Sequence, residues 1–159
     1  MKPTNVTRLL DQHKIPYKVF ELPAEKLGAV EAARHLGVPE QLVYKTIVVV
    51  RTFKGKPILA LLPGPSEVDL KALARTLGEK KVSLPTEREA EKLTGLQAGG
   101  ISPLALLNKG FQVVLDEEAR EHVEIYISGG QRGMDIRLPV EALIRLTNAR
   151  VAKISLTNS

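Results

Sequence analysis

The amino-acid sequence predicts one mixed α/β domain over residues 1–159, with helices packed against a mixed sheet that curls toward a barrel. A chain of 159 residues has the length of one domain with one proper core. Strand-like and helix-like segments follow one another irregularly, so some strands are adjacent in sequence and others are separated by helices. Strict alternation of strands and helices fails, and we therefore do not predict a doubly wound dinucleotide-binding fold.

Local start and stop signals predict the helices. Thr4 and Asp69 are typical N-cap residues, and Thr86 with Glu89 three residues later forms a capping box. In three segments with helical apolar spacing, a glycine comes directly after the last residue of the pattern, as expected at a helix C-terminus. The predicted helices run from Thr4 to before Pro16, over residues 28–36, over 70–77, from Thr86 to Gly95 and over 140–146, with a further helical turn at 116–121.

Residues 43–50 form the clearest predicted strand, because they are nearly all β-branched or apolar and continuous, which is typical of burial on both faces. Residues 56–62 are its predicted hairpin partner across Lys54 and Gly55. The other predicted strands are residues 17–22, 81–84, 111–115, 123–128, 134–138 and 151–154.

Composition excludes several kinds of chemistry. The chain has no cysteine, so thiolate nucleophiles and zinc–sulfur sites are excluded. Its three histidines, His13, His35 and His122, are far apart and lie in no metal-ligand motif. We therefore expect no metal and no cofactor, and a hydrolase built on this chain must work without a cysteine, a zinc cluster or an obvious histidine base.

The charge balance permits a polyanionic partner without requiring one. The formal net charge is +5, from 23 Lys and Arg against 18 Asp and Glu, and basic side chains displace counterions from phosphates. The charges of both signs are interleaved, however, as on an ordinary solvated surface. No apolar stretch approaches the roughly 20 residues that cross a bilayer, and no leader segment is evident, so we expect a cytoplasmic protein without membrane contact.

Three segments could carry chemistry. Lys45 interrupts the apolar strand, either as an edge lysine reaching solvent or as a cation fixed in a cleft. The segment Gly-Gly-Ile-Ser-Pro at 99–103 is either a tight turn or a loop that aims backbone N–H groups at an oxyanion. No Gly-x-Ser-x-Gly elbow surrounds Ser102, so we do not predict a serine nucleophile.

The third segment, residues 128–135, combines Ser128, three glycines that make the backbone flexible, Arg132 and Asp135 between two strands. It lacks the Gly-Lys-[Ser/Thr] ending and the following helix of a phosphate-binding P-loop. It is either a hairpin in which Asp135 pairs with Arg132 or a functional loop, and the segment alone does not decide between them.

Together these segments resemble the YbaK family of aminoacyl-tRNA deacylases, which is related to the editing domain of bacterial prolyl-tRNA synthetases. The matching motifs are Val-Tyr-Lys-Thr at 43–46, Gly-Gly-Ile-Ser-Pro at 99–103, Ile-Tyr-Ile-Ser-Gly-Gly at 125–130 and Arg-Gly-Met-Asp-Ile at 132–136. The resemblance implies a mixed α/β fold with a curved, partly barrel-like sheet. It implies catalytic roles for Lys45, Gly99, Gly100, Ser128 and Asp135. It implies substrate-binding roles for Phe20, Leu27, Thr46, Ile101, Ser102, Gly129, Gly130 and Arg132.

The resemblance also implies a reaction, in which a mischarged cysteine on tRNA(Pro) uses its own thiol to attack its ester. Such an enzyme needs only proximity and oxyanion stabilisation. Leu27 stands where the family has an aromatic residue, and Phe20 where it has a tyrosine, so an Ala- or Ser-tRNA deacylase is an alternative. A non-catalytic module that binds tRNA or a nucleotide is a second alternative. The implied partners are the acceptor end of aminoacyl-tRNA and prolyl-tRNA synthetase.

Overall fold

The computed structural model describes residues 2–52 and 55–157, so the predicted turn residue Lys54 lies outside the described residues. The α-helices are α1 (Asn5–Gln12), α2 (Ala29–Leu36), α3 (Leu70–Leu77), α4 (Glu87–Thr94) and α5 (Val140–Thr147). The strands are β1 (Lys18–Glu21), β2 (Tyr44–Arg51), β3 (Ile58–Pro63), β4 (Ser66–Val68), β5 (Val82–Ser83), β6 (Gln112–Asp116), β7 (Glu124–Ser128), β8 (Met134–Pro139), β9 (Arg150–Ala152) and β10 (Ser155–Thr157). None of the described helices is both long and apolar enough to cross a membrane.

The predicted helix caps are confirmed. The Thr4 side chain accepts a hydrogen bond from the backbone N–H of Thr7, and Asp69 accepts one from Ala72. Thr86 and Glu89 form the predicted reciprocal capping box at the start of α4. The glycines that end α2, α3 and α4 all adopt the left-handed conformation, which glycine enters without a steric penalty, and they are Gly37, Gly78 and Gly95.

Strand pairing is mixed, as predicted, but it divides the strands into three sheets instead of one. Five strands are ordered β5-β2-β3-β6-β9, three are ordered β1-β8-β7, and β10 pairs with β4. Within the largest sheet, β2 and β3 are antiparallel, whereas β3, β6 and β9 are parallel. The strand β3 ends at Pro63, which like Pro65 has no N–H to donate, and the chain then turns into β4. A parallel bridge between Val43 and Tyr126 joins the two larger sheets.

The centre of the molecule is β3, of which all six residues are buried. Leu59 and Leu61 pack into one apolar cluster, while Ala60 and Leu62 pack into another on the opposite face. Burial of each leucine contributes about 1.5–3 kcal/mol of hydrophobic stabilisation. The paired strand β2 is therefore held firmly, and this pairing determines where Lys45 lies.

Four short elements were not predicted: β4, β10 and the 3₁₀ helices Glu40–Leu42 and Pro103–Lys109. Three of these elements have only three residues, which is too short to show a periodic pattern. The predicted last strand at 151–154 corresponds to β9, which ends at Ala152, and Lys153 and Ile154 separate it from β10. The longer 3₁₀ helix begins at Ser102, whose side chain accepts a hydrogen bond from Leu104 N–H and thus acts as its N-cap.

Asp116 joins two distant parts of the chain through its buried carboxylate. Its Oδ1 accepts a hydrogen bond from Ile154 N–H at 3.0 Å, and its Oδ2 accepts one from Glu118 N–H at 3.3 Å. Asp116 is 1% exposed and Ile154 is 0% exposed, so water cannot replace the first of these bonds.

We expect Asp116→Ala to lower the free energy of unfolding by about 2–3 kcal/mol, because it leaves a buried N–H without an acceptor. Urea unfolding followed by circular dichroism measures this loss. Asp69→Ala is the matched control, because it removes a less buried cap and should cost about 1 kcal/mol. Equal losses for both variants would contradict the special role of Asp116.

Candidate active site

A cavity of about 440 Å³ lies between β2, the start of α2 and two glycine-containing loops. The structure brings together at this cavity seven residues that the sequence singled out: Leu27, Lys45, Thr46, Gly99, Ile101, Ser128 and Asp135. The other six predicted site residues do not line the cavity: Phe20, Gly100, Ser102, Gly129, Gly130 and Arg132. A larger cleft of about 830 Å³ elsewhere on the surface contains none of the thirteen.

Strand pairing places two of the polar groups side by side. In the antiparallel pair of β7 and β8, Ser128 lies directly opposite Asp135, so both side chains project from the same face of the sheet. Residues Gly129–Gly133 form the turn between these strands, and Gly129 N–H donates to the carbonyl of Met134 at 2.8 Å. Gly130 N–H donates to Ser128 Oγ at 3.2 Å, which leaves the serine hydroxyl proton free to bond elsewhere.

Lys45 lies at the cavity, and its side chain is half-buried. Its Nζ donates a hydrogen bond to the carbonyl of Gly64 at 3.1 Å. Burial lowers the pKa of Lys45, and the nearby negative charge of Glu67 partly offsets this effect. An ammonium has three N–H donors, so two remain for a ligand in the cavity.

Asp135 is a buried carboxylate at the cavity. It is 7% exposed, and no side-chain hydrogen bond joins it to another residue in the described part of the chain. It forms no ion pair with Lys45 or Arg132, contrary to the hairpin interpretation that paired Asp135 with Arg132. Burial raises the pKa of Asp135 to about 6. The carboxylate is therefore an acceptor without a protein donor, next to a space that a ligand can fill.

The two glycine-containing loops pack against each other so closely that they form one wall. A Cβ added to Gly100 would lie 2.8 Å from the backbone of Gln131. Arg132 Nε donates to the carbonyl of Ala98 at 2.7 Å, which joins the loops at a second point. Gly99 has φ +89°, a conformation that residues with a Cβ rarely adopt.

Several predicted site residues instead have structural contacts. Gly100 N–H donates to the carbonyl of Gln97 at 2.8 Å, so it is not available for an oxyanion. Ser102 is fully buried as a helix cap. The Phe20 ring packs on Tyr126 with the ring centroids 5.4 Å apart, in a cluster beside the cavity. The sequence patterns correctly predicted that these residues lie in loops and strands. The direction of each backbone N–H and side chain, however, depends on the tertiary packing.

Three charged residues near Leu27 line the cavity and were not predicted from the sequence. Glu25 and Lys26 lie in the loop before α2, and Glu31 lies in the first turn of α2. Lys26 forms an ion pair with Glu87 at the start of α4. The resemblance that singled out Leu27 was the only signal for this loop. Within residues 2–52 and 55–157, no group of three or more His, Asp or Glu side chains could hold a metal ion.

Comparison with solved structures defines the class of protein to which this fold and cavity belong. The chain superposes on a protein whose crystal structure is described as a trans-editing enzyme for prolyl-tRNA synthetase, with a TM-score of 0.80. The two are 29% identical, and the match covers 98% of this chain and 99% of the other. The fold is thus that of the editing-domain proteins.

The model of the aminoacyl-tRNA editing domain matches residues 24–146, and the chain belongs to this family. It is 40% identical over 154 residues to EbsC of Enterococcus faecalis, described as a Cys-tRNA(Pro)/Cys-tRNA(Cys) deacylase, covering 96% of this chain and 93% of EbsC. It is also 30% identical over 116 residues to a proline–tRNA ligase of Thermodesulfovibrio yellowstonii, of which the match covers 19%. The family resemblance seen in the motifs is confirmed.

We expect Gly100→Ala to destabilise the protein by about 1–3 kcal/mol, because the added methyl group overlaps the Gln131 backbone. Thermal unfolding measures the loss. Gly28→Ala is the matched control, since its added Cβ would have its nearest neighbour at 3.7 Å, an ordinary contact. Equal unfolding temperatures for the two variants would contradict the close packing of the two loops.

We expect Asp135→Asn to stabilise the protein by about 1–3 kcal/mol above pH 6, because burial of the charged carboxylate costs 1.36 kcal/mol per pKa unit. The native state binds more protons than the unfolded state between the ordinary aspartate pKa and about 6. The wild type therefore loses stability as the pH rises through this window, and the variant does not. Urea unfolding at several pH values measures the difference.

The control for this comparison is Glu21→Gln, which removes an exposed carboxylate from the neighbouring strand β1. It should leave the pH dependence of stability unchanged. An advantage of Asp135→Asn that is the same at pH 4 and pH 7.5 would contradict the burial of a charged group.

Proposed function

We propose that this chain removes mischarged amino acids from tRNA in trans, and that its main substrate is cysteinyl-tRNA(Pro). The observation that carries the proposal is the similarity to EbsC, which extends over nearly the full length of both proteins. The alignment thus includes the cavity and both glycine-containing loops. The description of the structural neighbour as a trans-editing enzyme supports action on tRNA released by a synthetase.

In the proposed reaction, the thiol sulfur of the cysteinyl group attacks its own ester carbonyl carbon. A carbon–sulfur bond forms, the ester carbon–oxygen bond breaks, and the thiol proton ends on the 3′-terminal ribose oxygen of the tRNA. The products are free tRNA and a cyclic thiolactone, which water later opens. The cavity lining offers no thiol and no imidazole that could act as nucleophile or base, and this composition suits a substrate that supplies its own nucleophile.

We assign Lys45 to the substrate oxygen atoms. Its ammonium is held in place by Gly64, and its two remaining donors suit the ester carbonyl or a phosphate near the 3′ end. Gly99 N–H is a second candidate donor for the developing oxyanion, because Gly99 lines the cavity. Arg132 and Gly100 act indirectly in this proposal, by holding the loop that carries Gly99.

We assign Asp135 to the α-ammonium group of the aminoacyl ester. It is a buried carboxylate without a protein donor, so a cationic ligand group satisfies it. Ser128, directly opposite Asp135, contributes a hydroxyl group on the same side. Because the carboxylate must be charged for this role, we expect activity to fall as the pH drops through about 6.

We assign Leu27 to discrimination by size, since it lines the cavity and Phe20 does not. A cavity of about 440 Å³ has room for the 3′-terminal adenosine with a small amino acid. Prolyl-tRNA synthetase is a proposed partner that delivers the mischarged tRNA, and the proposed site of action is the cytoplasm.

We expect Lys45→Ala to lower kcat/KM for cysteinyl-tRNA(Pro) about 10²- to 10³-fold, as loss of one oxyanion donor does in other hydrolases. Lys71→Ala, on the exposed face of α3, is the matched control and should retain full activity. Deacylation of labelled aminoacyl-tRNA measures both rates. Equal rates for wild type and Lys45→Ala would end the role assigned to Lys45.

The proposed function is tested with tRNA(Pro) charged with cysteine, alanine or serine, and with cysteinyl-tRNA(Cys), each with and without prolyl-tRNA synthetase. A thiol-assisted enzyme should release cysteine as a thiolactone, which a nucleophilic amine traps, and should leave the alanyl and seryl esters intact. Hydrolysis of alanyl- or seryl-tRNA would favour the alternative deacylase. Retained tRNA binding without turnover of any ester would favour the non-catalytic module.

A further inference from the structure

A second cleft, of about 830 Å³, lies between α1, the 3₁₀ helix Pro103–Lys109 and α5. It is larger than the candidate active site and shares no lining residue with it. Leucine and alanine side chains form most of its floor, and five polar residues surround them: Asn5, His13, Asn108, Lys109 and Arg145.

The second cleft is cationic. Lys109 and Arg145 are exposed, and neither is within 4.0 Å of a carboxylate of the described residues. No Asp or Glu is among the residues that line the cleft. A third cleft, of about 700 Å³, has the opposite character, because Glu40, Glu118 and Glu121 are among its lining residues. The second cleft therefore attracts an anionic partner, whereas the third cleft repels it.

The second cleft approaches the active-site cavity at the turn between β7 and β8. Ala105 lines the cleft, and a Cβ added to Gly130 would lie 3.2 Å from the Ala105 Cβ. Gly130 follows Ser128, which lines the active-site cavity, by two residues. Two residues of chain span about 7 Å at most. The edge of the cleft at Ala105 therefore lies close to the edge of the cavity at Ser128.

We propose that the second cleft binds the phosphate backbone of the tRNA acceptor stem while the aminoacylated 3′ end occupies the active-site cavity. The proposal rests on the proposed function. Lys109 and Arg145 neutralise phosphates, and Asn5 and Asn108 supply amide donors to the same oxygens. None of the residues that line the cleft is Phe, Tyr or Trp, so phosphate contacts carry the binding and we expect it to be independent of the RNA sequence.

An acidic segment of a protein partner would meet the same charges. RNA is the occupant that we favour, because the cleft adjoins the cavity at Gly130 and Ala105, and the proposed substrate of that cavity is a polyanion. The proposed substrate is also much larger than the cavity, so most of its contacts must lie outside it.

The test is the double variant Lys109→Gln with Arg145→Gln, in which both positions are exposed and the fold should be retained. We expect its Kd for uncharged tRNA(Pro) to rise about 10- to 100-fold at low salt. The slope of log Kd against log salt concentration should fall by about 1.5, for two lost phosphate contacts. The kcat at saturating cysteinyl-tRNA(Pro) should be unchanged, and a short cysteinylated 3′ fragment should be hydrolysed at the wild-type rate.

The matched control is Arg120→Gln with Lys153→Gln, which removes the same charge from the acidic third cleft. An equal loss of affinity in the control would show a general charge effect and overturn the proposal. Unchanged Kd and salt slope in the first variant would also overturn it, and so would a loss of stimulation by prolyl-tRNA synthetase without a loss of tRNA affinity. The exchange Lys109→Arg with Arg145→Lys should keep the wild-type affinity, because both positions keep their positive charge.

The two proposals fail in different ways. If the wild type binds tRNA through Lys109 and Arg145 but hydrolyses no aminoacyl-tRNA, the result contradicts the proposed function. It does not contradict the proposal that the second cleft binds RNA. Wild type that hydrolyses cysteinyl-tRNA(Pro) while the double variant keeps its affinity would contradict the cleft alone.

Discussion

The antiparallel pairing of β2 with β3 is the contact on which the site depends. All of β3 is buried, with leucines packed on both of its faces, so it cannot move without disrupting both large apolar clusters. The register sets Lys45 opposite Leu62, near the end of the pair. There Gly64 turns the chain, its N–H bonds to the carbonyl of Val43, and its own carbonyl accepts from Lys45. The same turn that ends the buried strand thus fixes the direction of the cation.

The site contains groups that the core alone would not favour. Asp135 lies in β8 between Met134 and Ile136, which are both fully buried. Burial of the charged Asp135 carboxylate opposes folding at neutral pH. Lys45 is likewise destabilised as a cation by its partial burial. Since these two groups do not pair with each other, a ligand with both a cationic and an anionic part can satisfy both. An aminoacyl ester at the end of a nucleic acid has this combination of charges.

The features that could be predicted from the sequence are those determined within a few residues. The N-caps at Thr4, Asp69 and Thr86 and the glycine stops after α2, α3 and α4 form through local hydrogen bonds, and the structure has them as predicted. The division into three sheets depends on pairings between strands far apart in the chain, and no local pattern records them. Gly100 was correctly predicted to lie in a glycine loop, but its N–H is used within that loop.

A small editing domain has to bind a large RNA and also distinguish one amino acid from another. Two neighbouring sites would divide these two tasks. In the proposed function, the cavity holds only the end of the substrate, and its chemistry is directed at an ester that every aminoacyl-tRNA carries. Affinity for the RNA therefore has to come from contacts that do not touch the amino acid. A cationic cleft beyond Gly130 would supply that affinity and leave Leu27 and the polar groups of the cavity to distinguish one amino acid from another. Because charge contacts are screened by salt and size contacts are not, binding and discrimination would respond separately to ionic strength.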